Sequence, residues 1–179
     1  VAAHAVDGST LALAADLDPD HLAAATVAVT ARTFQLGPLA RLAPALLLGV
    51  RGVLDADLQL RGLDPRTARA SGSLRITGAQ VPLADIVGNL RDATVALGFG
   101  ADGARLTVAG AVESGQVEVV ATAQLTGLLP DRAQLDVTVH DLTLITTTAP
   151  RFDAALHVEL TRAGPQWQAV GRLHDAVVE

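Results

Sequence analysis

An all-β fold, laid out as an antiparallel meander of about ten strands, is what this chain predicts, and three observations predict it. Apolar and non-apolar residues alternate with period two along most of the 179 residues. Short clusters of Gly, Pro, Asp and Ser separate the alternating runs. The links are too short for the crossover helices that parallel strands require, so successive strands are antiparallel neighbours. The length suits a single domain over residues 1–179, and the opening at Val1, with no basic stretch leading into an apolar one, reads as a segment of a longer chain.

Thr10–Leu17 sets Leu11, Leu13, Ala15 and Leu17 against Thr10, Ala12, Ala14 and Asp16. Val27 and Val29 continue the aliphatic set. In Gly52–Arg61 the apolar side holds Leu54, Ala56, Leu58 and Leu60, and the other side holds Asp55, Asp57, Gln59 and Arg61. A slip of one residue would bury those charges, which fixes the register. Ser71–Gly78 places Leu74 and Ile76 opposite Ser73, Arg75 and Thr77. Ala93, Val95, Leu97 and Phe99 lead to Ala101-Asp102-Gly103, and Leu106, Val108 and Val112 return from it. Asp-Gly is a strong hairpin signal because Gly accepts positive φ without a Cβ clash.

After a turn at Ser114-Gly115, Val117, Val119, Ala121, Ala123 and Leu125 alternate with Glu118, Val120, Thr122 and Gln124. Beyond Gly127–Arg132, Leu135, Val137 and Val139 alternate with Asp136, Thr138 and His140. A final hairpin pairs Phe152, Ala154, Leu156, Val158 and Leu160 with a strand around Trp167, Ala169 and Gly171 across Ala163-Gly164-Pro165. Two stretches break the rhythm. From Leu36 to Leu48, apolar residues recur every three or four positions, so a short helical segment is expected near 36–48, with Pro38 in a first turn and Pro44 kinking or splitting it. Ala79–Asn89, with Val81-Pro82-Leu83, reads as a bulged loop or a single helical turn.

Composition narrows the function. Half the residues are hydrophobic but aromatics make up only 2%, so the apolar face is aliphatic. A sheet of ten strands is roughly 50 Å wide and must hide that face in a barrel, in a sandwich or in a curled trough. With few large rings to fill an interior, the expected form is a U-shaped hydrophobic trough. Such a trough suits hydrocarbon, whose burial is worth about 25 cal/mol per Å2 and needs no directional contact. A net charge of −6, basic residues that are all Arg, and the lack of aromatic platforms exclude nucleic acid as a partner. Zero Cys removes disulfides, thiolate metal sites and Cys nucleophiles. The apolar run Ala43–Val50 falls short of the ~20 residues a spanning helix needs.

Several segments resemble one family in order and spacing: Gly52-Val53-Leu54-Asp55-Ala56-Asp57-Leu58-Gln59-Leu60-Arg61-Gly62, Ala70-Ser71-Gly72-Ser73-Leu74-Arg75-Ile76, Val81-Pro82-Leu83, Leu90-Arg91-Asp92-Ala93, Asp102-Gly103-Ala104-Arg105-Leu106 and Gly164–Leu173. Over roughly Leu46 to Leu173 the chain is similar to the TamB C-terminal domain of the AsmA-like superfamily. The resemblance implies a "β-taco", a curled sheet with a hydrophobic groove, in a periplasmic protein of a Gram-negative bacterium anchored in the inner membrane. It further implies an outer-membrane partner of the Omp85 type, neighbouring segments of the same long chain, and phospholipid acyl chains as cargo moved between the membranes. The alternative it carries is a chaperone-like scaffold for assembling outer-membrane or secreted β-barrel proteins. Where the family tends to place Pro after the last strand, this chain has His174-Asp175-Ala176-Val177.

The expected groove lining is therefore Leu11, Leu13, Leu17, Val27, Val29, Leu54, Leu58, Leu60, Leu74, Ile76, Val95, Leu97, Leu106, Val108, Val117, Val119, Leu125, Leu135, Val137, Val139, Leu156 and Val158, with Phe99, Phe152 and Trp167 as its few rings; these rings and Phe34 read either as core plugs or as groove contacts. For chemistry the sequence offers little. His140, His157 and His174 are evenly spaced, but they fall on the polar set or at a strand end, where strand repeats alone generate such spacing. Asp55 and Asp57 share a face with Arg61 and read as solvated charges. No Gly-x-Ser-x-Gly elbow or P-loop is present, so no catalytic residue, metal or cofactor is expected.

Overall fold

A computed structural model describes residues 2–4, 8–17, 23–37, 51–82, 89–101, 103–112, 115–143, 151–163 and 166–178. It is all-β: β1 (Ala2–His4), β2 (Thr10–Asp16), β3 (Thr26–Gln35), β4 (Arg51–Arg61), β5 (Arg69–Pro82), β6 (Asn89–Gly100), β7 (Gly103–Val112), β8 (Gly115–Thr126), β9 (Leu129–Thr143), β10 (Arg151–Ala163) and β11 (Gln166–Val178). The strands form one antiparallel sheet in sequence order, a pure up-and-down meander. The eleventh strand, relative to the ten expected, is the three-residue β1 at one edge.

The sheet has two unlike ends. At the hairpin end, tight connections join β6 to β7 and β8 to β9. At the opposite end, five strands each carry an extra residue in the left-handed region: Thr33 (φ 47°), Gly78 (φ 60°), Asp92 (φ 51°), Asp141 (φ 54°) and Asp175 (φ 52°). Each sits where the ladder register shifts. Gly and Asp are types that tolerate this conformation, whereas the β-branched Thr33 is strained in it. The extra residue also has a consequence for the faces. It resets the alternation, so that Phe34, Ala79, Ala93 and Ala176 fall on the same side of the sheet as the apolar residues that precede each bulge.

Two of these bulges are pinned in the same way from the strand opposite. The Thr33 amide donates to Asp55 Oδ1 at 2.9 Å, and the Asp141 amide donates to Asp153 Oδ1 at 2.7 Å. Each carboxylate thus satisfies an amide that the bulge has taken out of the ladder. Most of the buried apolar residues lie at this end in two groups, while Ala25 and Ala68 are buried beside the β4–β5 loop at the other. One group is Ala31, Phe34, Leu36, Leu54 and Ala56; the other is Ala79, Leu90, Ala93 and Val112.

Several expectations are corrected. The sheet is open, with each strand packed on its sequence neighbours, in place of the curled trough that the sequence led us to expect. One contact joins distant turns at the hairpin end: the Leu128 amide donates to the Pro65 carbonyl at 2.7 Å, tying the β4–β5 loop to the β8–β9 turn. Gly127 makes the approach possible, because a Cβ there would collide with the Pro65 carbonyl. Ala79–Pro82 is neither loop nor helix but the end of β5 beyond its bulge, while 83–88 lie outside the described residues. Of the expected helix near 36–48, only Leu36 and Gly37 are described, and they follow β3 as a bend and turn. The last strand runs past His174 to Val178, because the Asp175 bulge carries the pairing onward.

Candidate functional site

The register aligns the apolar positions of all eleven strands into rows. One row runs Ala3, Leu11, Ala31, Ala56, Leu74, Leu97, Leu106, Ala121, Leu135, Val158 and Gly171, each paired with the next. Toward the bulges, a second row runs Leu54, Ile76, Val95, Val108, Val119, Val137, Leu156 and Leu173. Toward the hairpins, a third runs Leu13, Val29, Leu58, Gly72, Phe99, Ala104, Ala123, Ala133, Leu160 and Ala169. Because side chains alternate between faces with period two, these rows form one continuous apolar surface. Across ten strand spacings it extends roughly 48 Å.

Nearly all the residues singled out from sequence lie on it. Val27 pairs with Leu60 just beyond the third row. Val117 pairs with Val139, and Val139 with Ala154. Leu125 stands opposite Pro130, past a register shift in β8 and β9. Trp167 stands opposite Arg162, two residues from Ala169 on the same parity. Phe152 holds a register position between Leu142 and Val178. Leu17 is the exception: it lies one residue beyond β2 and is exposed. Phe34, one of the rings weighed as core or groove, is buried on this face, and sequence reasoning missed Ala79 and Leu90, which are buried there too. A phase jump of one residue after Arg32, Thr77 and Arg91 is the signal that marks them.

The burial of this surface decides what it can do. In a sealed core, Leu and Val side chains of the central rows would be shut away from water. Here Leu74, Leu97, Leu106, Val119, Leu135 and Val137 are all only partly buried. Toward the β11 edge the face opens further, with Leu173 61% exposed and Trp167 45% exposed. Val112, at the bulge end, is the largest side chain that is fully buried among the described residues. An aliphatic sheet face in this state has unspent capacity to bury hydrocarbon.

The polar face carries no such continuity. His157 Nδ1 lies 2.5 Å from Asp136 Oδ1, and His140 Nδ1 lies 4.0 Å from Asp153 Oδ1. His174 is paired with Ala155 instead. The three histidines are thus held apart on separate register positions, and no group of three or more His, Asp or Glu suited to a metal ion occurs among the described residues. Asp55, which shares a face with Asp57, spends its carboxylate on the Thr33 amide. That is a structural task, which pins the bulge of β3 from the facing strand.

Comparison of the chain with models of protein families, with curated proteins and with solved structures finds no match.

Proposed function

We propose that this sheet holds lipid acyl chains on its open apolar face, as the lipid-binding module of an envelope-spanning bridge that moves phospholipid between inner and outer membranes. The observation that carries the reading is the partly exposed aliphatic surface, continuous through every strand pairing from β2 to β10 and bearing almost no rings. Acyl chains are fluid and featureless, and what favours them is area removed from water rather than a shaped pocket. The resemblance of Leu46–Leu173 to the TamB C-terminal domain supplies the setting: a periplasmic chain, an Omp85-type partner and adjoining segments of the same protein. No cofactor or catalytic residue enters this reading.

Polar substitutions in the middle of the face test it. Leu58→Asp and Val119→Arg change half-buried positions on β4 and β8; native mass spectrometry is expected to find acyl lipid on the parent protein, and both variants are expected to fold yet lose it. If either variant folds and still restores transport in a deficient strain, the lipid reading fails.

One observation favours a second reading. β11 is an edge strand of 13 residues, exposed throughout its described side chains, with Trp167 and Leu173 on its apolar side. An unpaired edge of this length accepts an extended peptide by strand addition, the mode a scaffold for β-barrel proteins would use. Photocrosslinking from Leu97 and Val137 on the face and from Leu173 on the β11 edge separates the two readings, capturing acyl lipid on the face in the first and polypeptide at the edge in the second.

A further inference from the structure

The hairpin end holds a cavity of about 760 Å3 spanning β5 to β9. Its polar lining has an uncommon composition for this protein. Two arginines, Arg105 on β7 and Arg132 on β9, reach it from either side of β8, with Thr122, Gln124 and Gln134 between them. Register explains the grouping: Arg105 pairs with Thr122, Thr122 with Gln134, and Gln124 with Arg132, so the five residues form one patch of the polar face. The backbones of β7 and β9 are about 10 Å apart across β8, a gap within the reach of two long Arg side chains on adjacent rows.

Acidic residues outnumber basic ones by 19 to 13 in this chain, yet none of the described residues that line the cavity is acidic. Elsewhere on the polar face charges are mixed, as where Arg75 is paired with Asp55 across β4 and β5. Neither Arg105 nor Arg132 makes an ion pair or hydrogen bond among the described residues. The nearest carboxylate in sequence, Asp131, lies beside Arg132 but is taken by the Thr126 hydroxyl at 2.5 Å. Two guanidinium groups that make no ion pair among the described residues, beside hydroxyl and amide groups, are free to take an anion, with Glu159, opposite Gln134, as the described carboxylate that borders the patch on β10.

We infer that this cavity is a binding site for a phosphate-bearing anion, with Arg105 and Arg132 donating to its oxygens and Thr122, Gln124 and Gln134 hydrogen-bonding around them. Phosphate fits better than a carboxylate because its oxygens point in more directions, enough to occupy the planar forks of two arginines at once. Gly98, Gly100 and Gly103 on the cavity wall carry no side chain to fill the space. Gly72, Phe99, Ala104, Ala123 and Ala133 of the third apolar row also line the cavity, so the site adjoins the hydrocarbon face, but the polar groups that would hold the anion are on the polar set.

Isothermal titration at low ionic strength tests it with two probes, inorganic phosphate and short-chain dihexanoyl phosphatidic acid below its micellar concentration. Saturable binding of phosphate with no gain from the lipid assigns a free phosphate compound; tighter binding of the lipid assigns a headgroup; either result supports the site. In both cases Arg105→Gln/Arg132→Gln is expected to weaken binding about ten- to a hundredfold, Arg105→Lys/Arg132→Lys by less, and Arg75→Gln not at all. Both arginines are exposed, so circular dichroism should report an intact sheet, and the single variants serve if the double one unfolds. Absence of saturable binding to either probe, or wild-type affinity in the folded Gln variants, overturns the proposal. Leu58→Asp keeps both arginines, so it separates this site from the lipid reading: phosphate binding survives in that variant even where acyl-lipid binding is lost.

Discussion

The two ends of the sheet are built from the same alternating strands and finish in different states. At the bulge end, Ala31, Phe34, Leu54, Ala79, Leu90, Ala93 and Val112 are buried. At the hairpin end, the same face holds Gly72, Ala104, Ala123 and Ala133, and none of them is buried. The difference lies in the backbone. An extra left-handed residue raises the local twist and bends its strand, so side chains from neighbouring strands converge on the apolar side. At the hairpin end the face stays open, although β8 and β9 shift register at Gln124/Leu125. Alternation therefore says which way a residue points, and the bulges decide whether anything meets it there.

A matched pair of substitutions would break this comparison if it is wrong. Val112 is 0% exposed and Leu13, on the row nearer the hairpins, is 45% exposed. Val112→Asn is expected to cost about 3–5 kcal/mol, from lost apolar burial together with an amide that finds no partner. Leu13→Asn should cost less than about 1 kcal/mol, because half of that side chain already meets water. Urea denaturation measures both. Equal losses at the two positions would mean that the ends are packed alike.

Strand order, antiparallel pairing and the apolar face were legible in the sequence because each follows from a period of two, and the runs through Leu58, Leu97 and Val119 keep that period without a break. The bulges were not legible. Asp92 after Arg91 and Asp175 after His174 look like ordinary polar pairs, and the one-residue jump they introduce blurs the pattern rather than marking it. Ala79–Pro82 was mistaken for an irregular segment for the same reason, since Gly78 shifts the phase and Pro82 suggests a turn. The openness of the sheet was hidden as well, because the same inward Leu and Val satisfy a trough, a sandwich or an uncovered layer. Arg105 and Arg132 lie 27 positions apart, and only the register through β8 brings them to one patch.

Glycine substitutions sharpen the contrast between the ends. Gly110 lies across from the Asp92 bulge, and a Cβ built there would stand 2.8 Å from the Ala93 Cβ and 2.9 Å from Leu90 Cδ1. Gly110→Val is expected to cost about 1–3 kcal/mol by forcing those neighbours apart. Gly98, at the hairpin end, has open space where a Cβ would go. There Gly98→Ala should stabilise the protein by about 0.5–1 kcal/mol, since an extended strand loses less chain entropy with Ala than with Gly. The opposite signs are the diagnostic result, and a loss at both positions would show that the hairpin end is as crowded as the other.

The smallest effect concerns what holds the bulges in place. Asp55 and Asp153 sit on different strand pairs and do one task, each accepting the amide of a left-handed residue opposite, Thr33 in one case and Asp141 in the other. Both bonds are open to solvent, so water replaces part of what is lost when the carboxylate is removed. Asp55→Ala and Asp153→Ala are each expected to cost about 0.5–1.5 kcal/mol, with faster hydrogen exchange at the Thr33 and Asp141 amides respectively. Exchange that speeds up only at the bulge facing the substituted strand would show that each is pinned separately. Exchange that speeds up at both would tie them into one cooperative band, and the packed end would then owe its burial to the set of bulges acting together rather than to each strand's own kink.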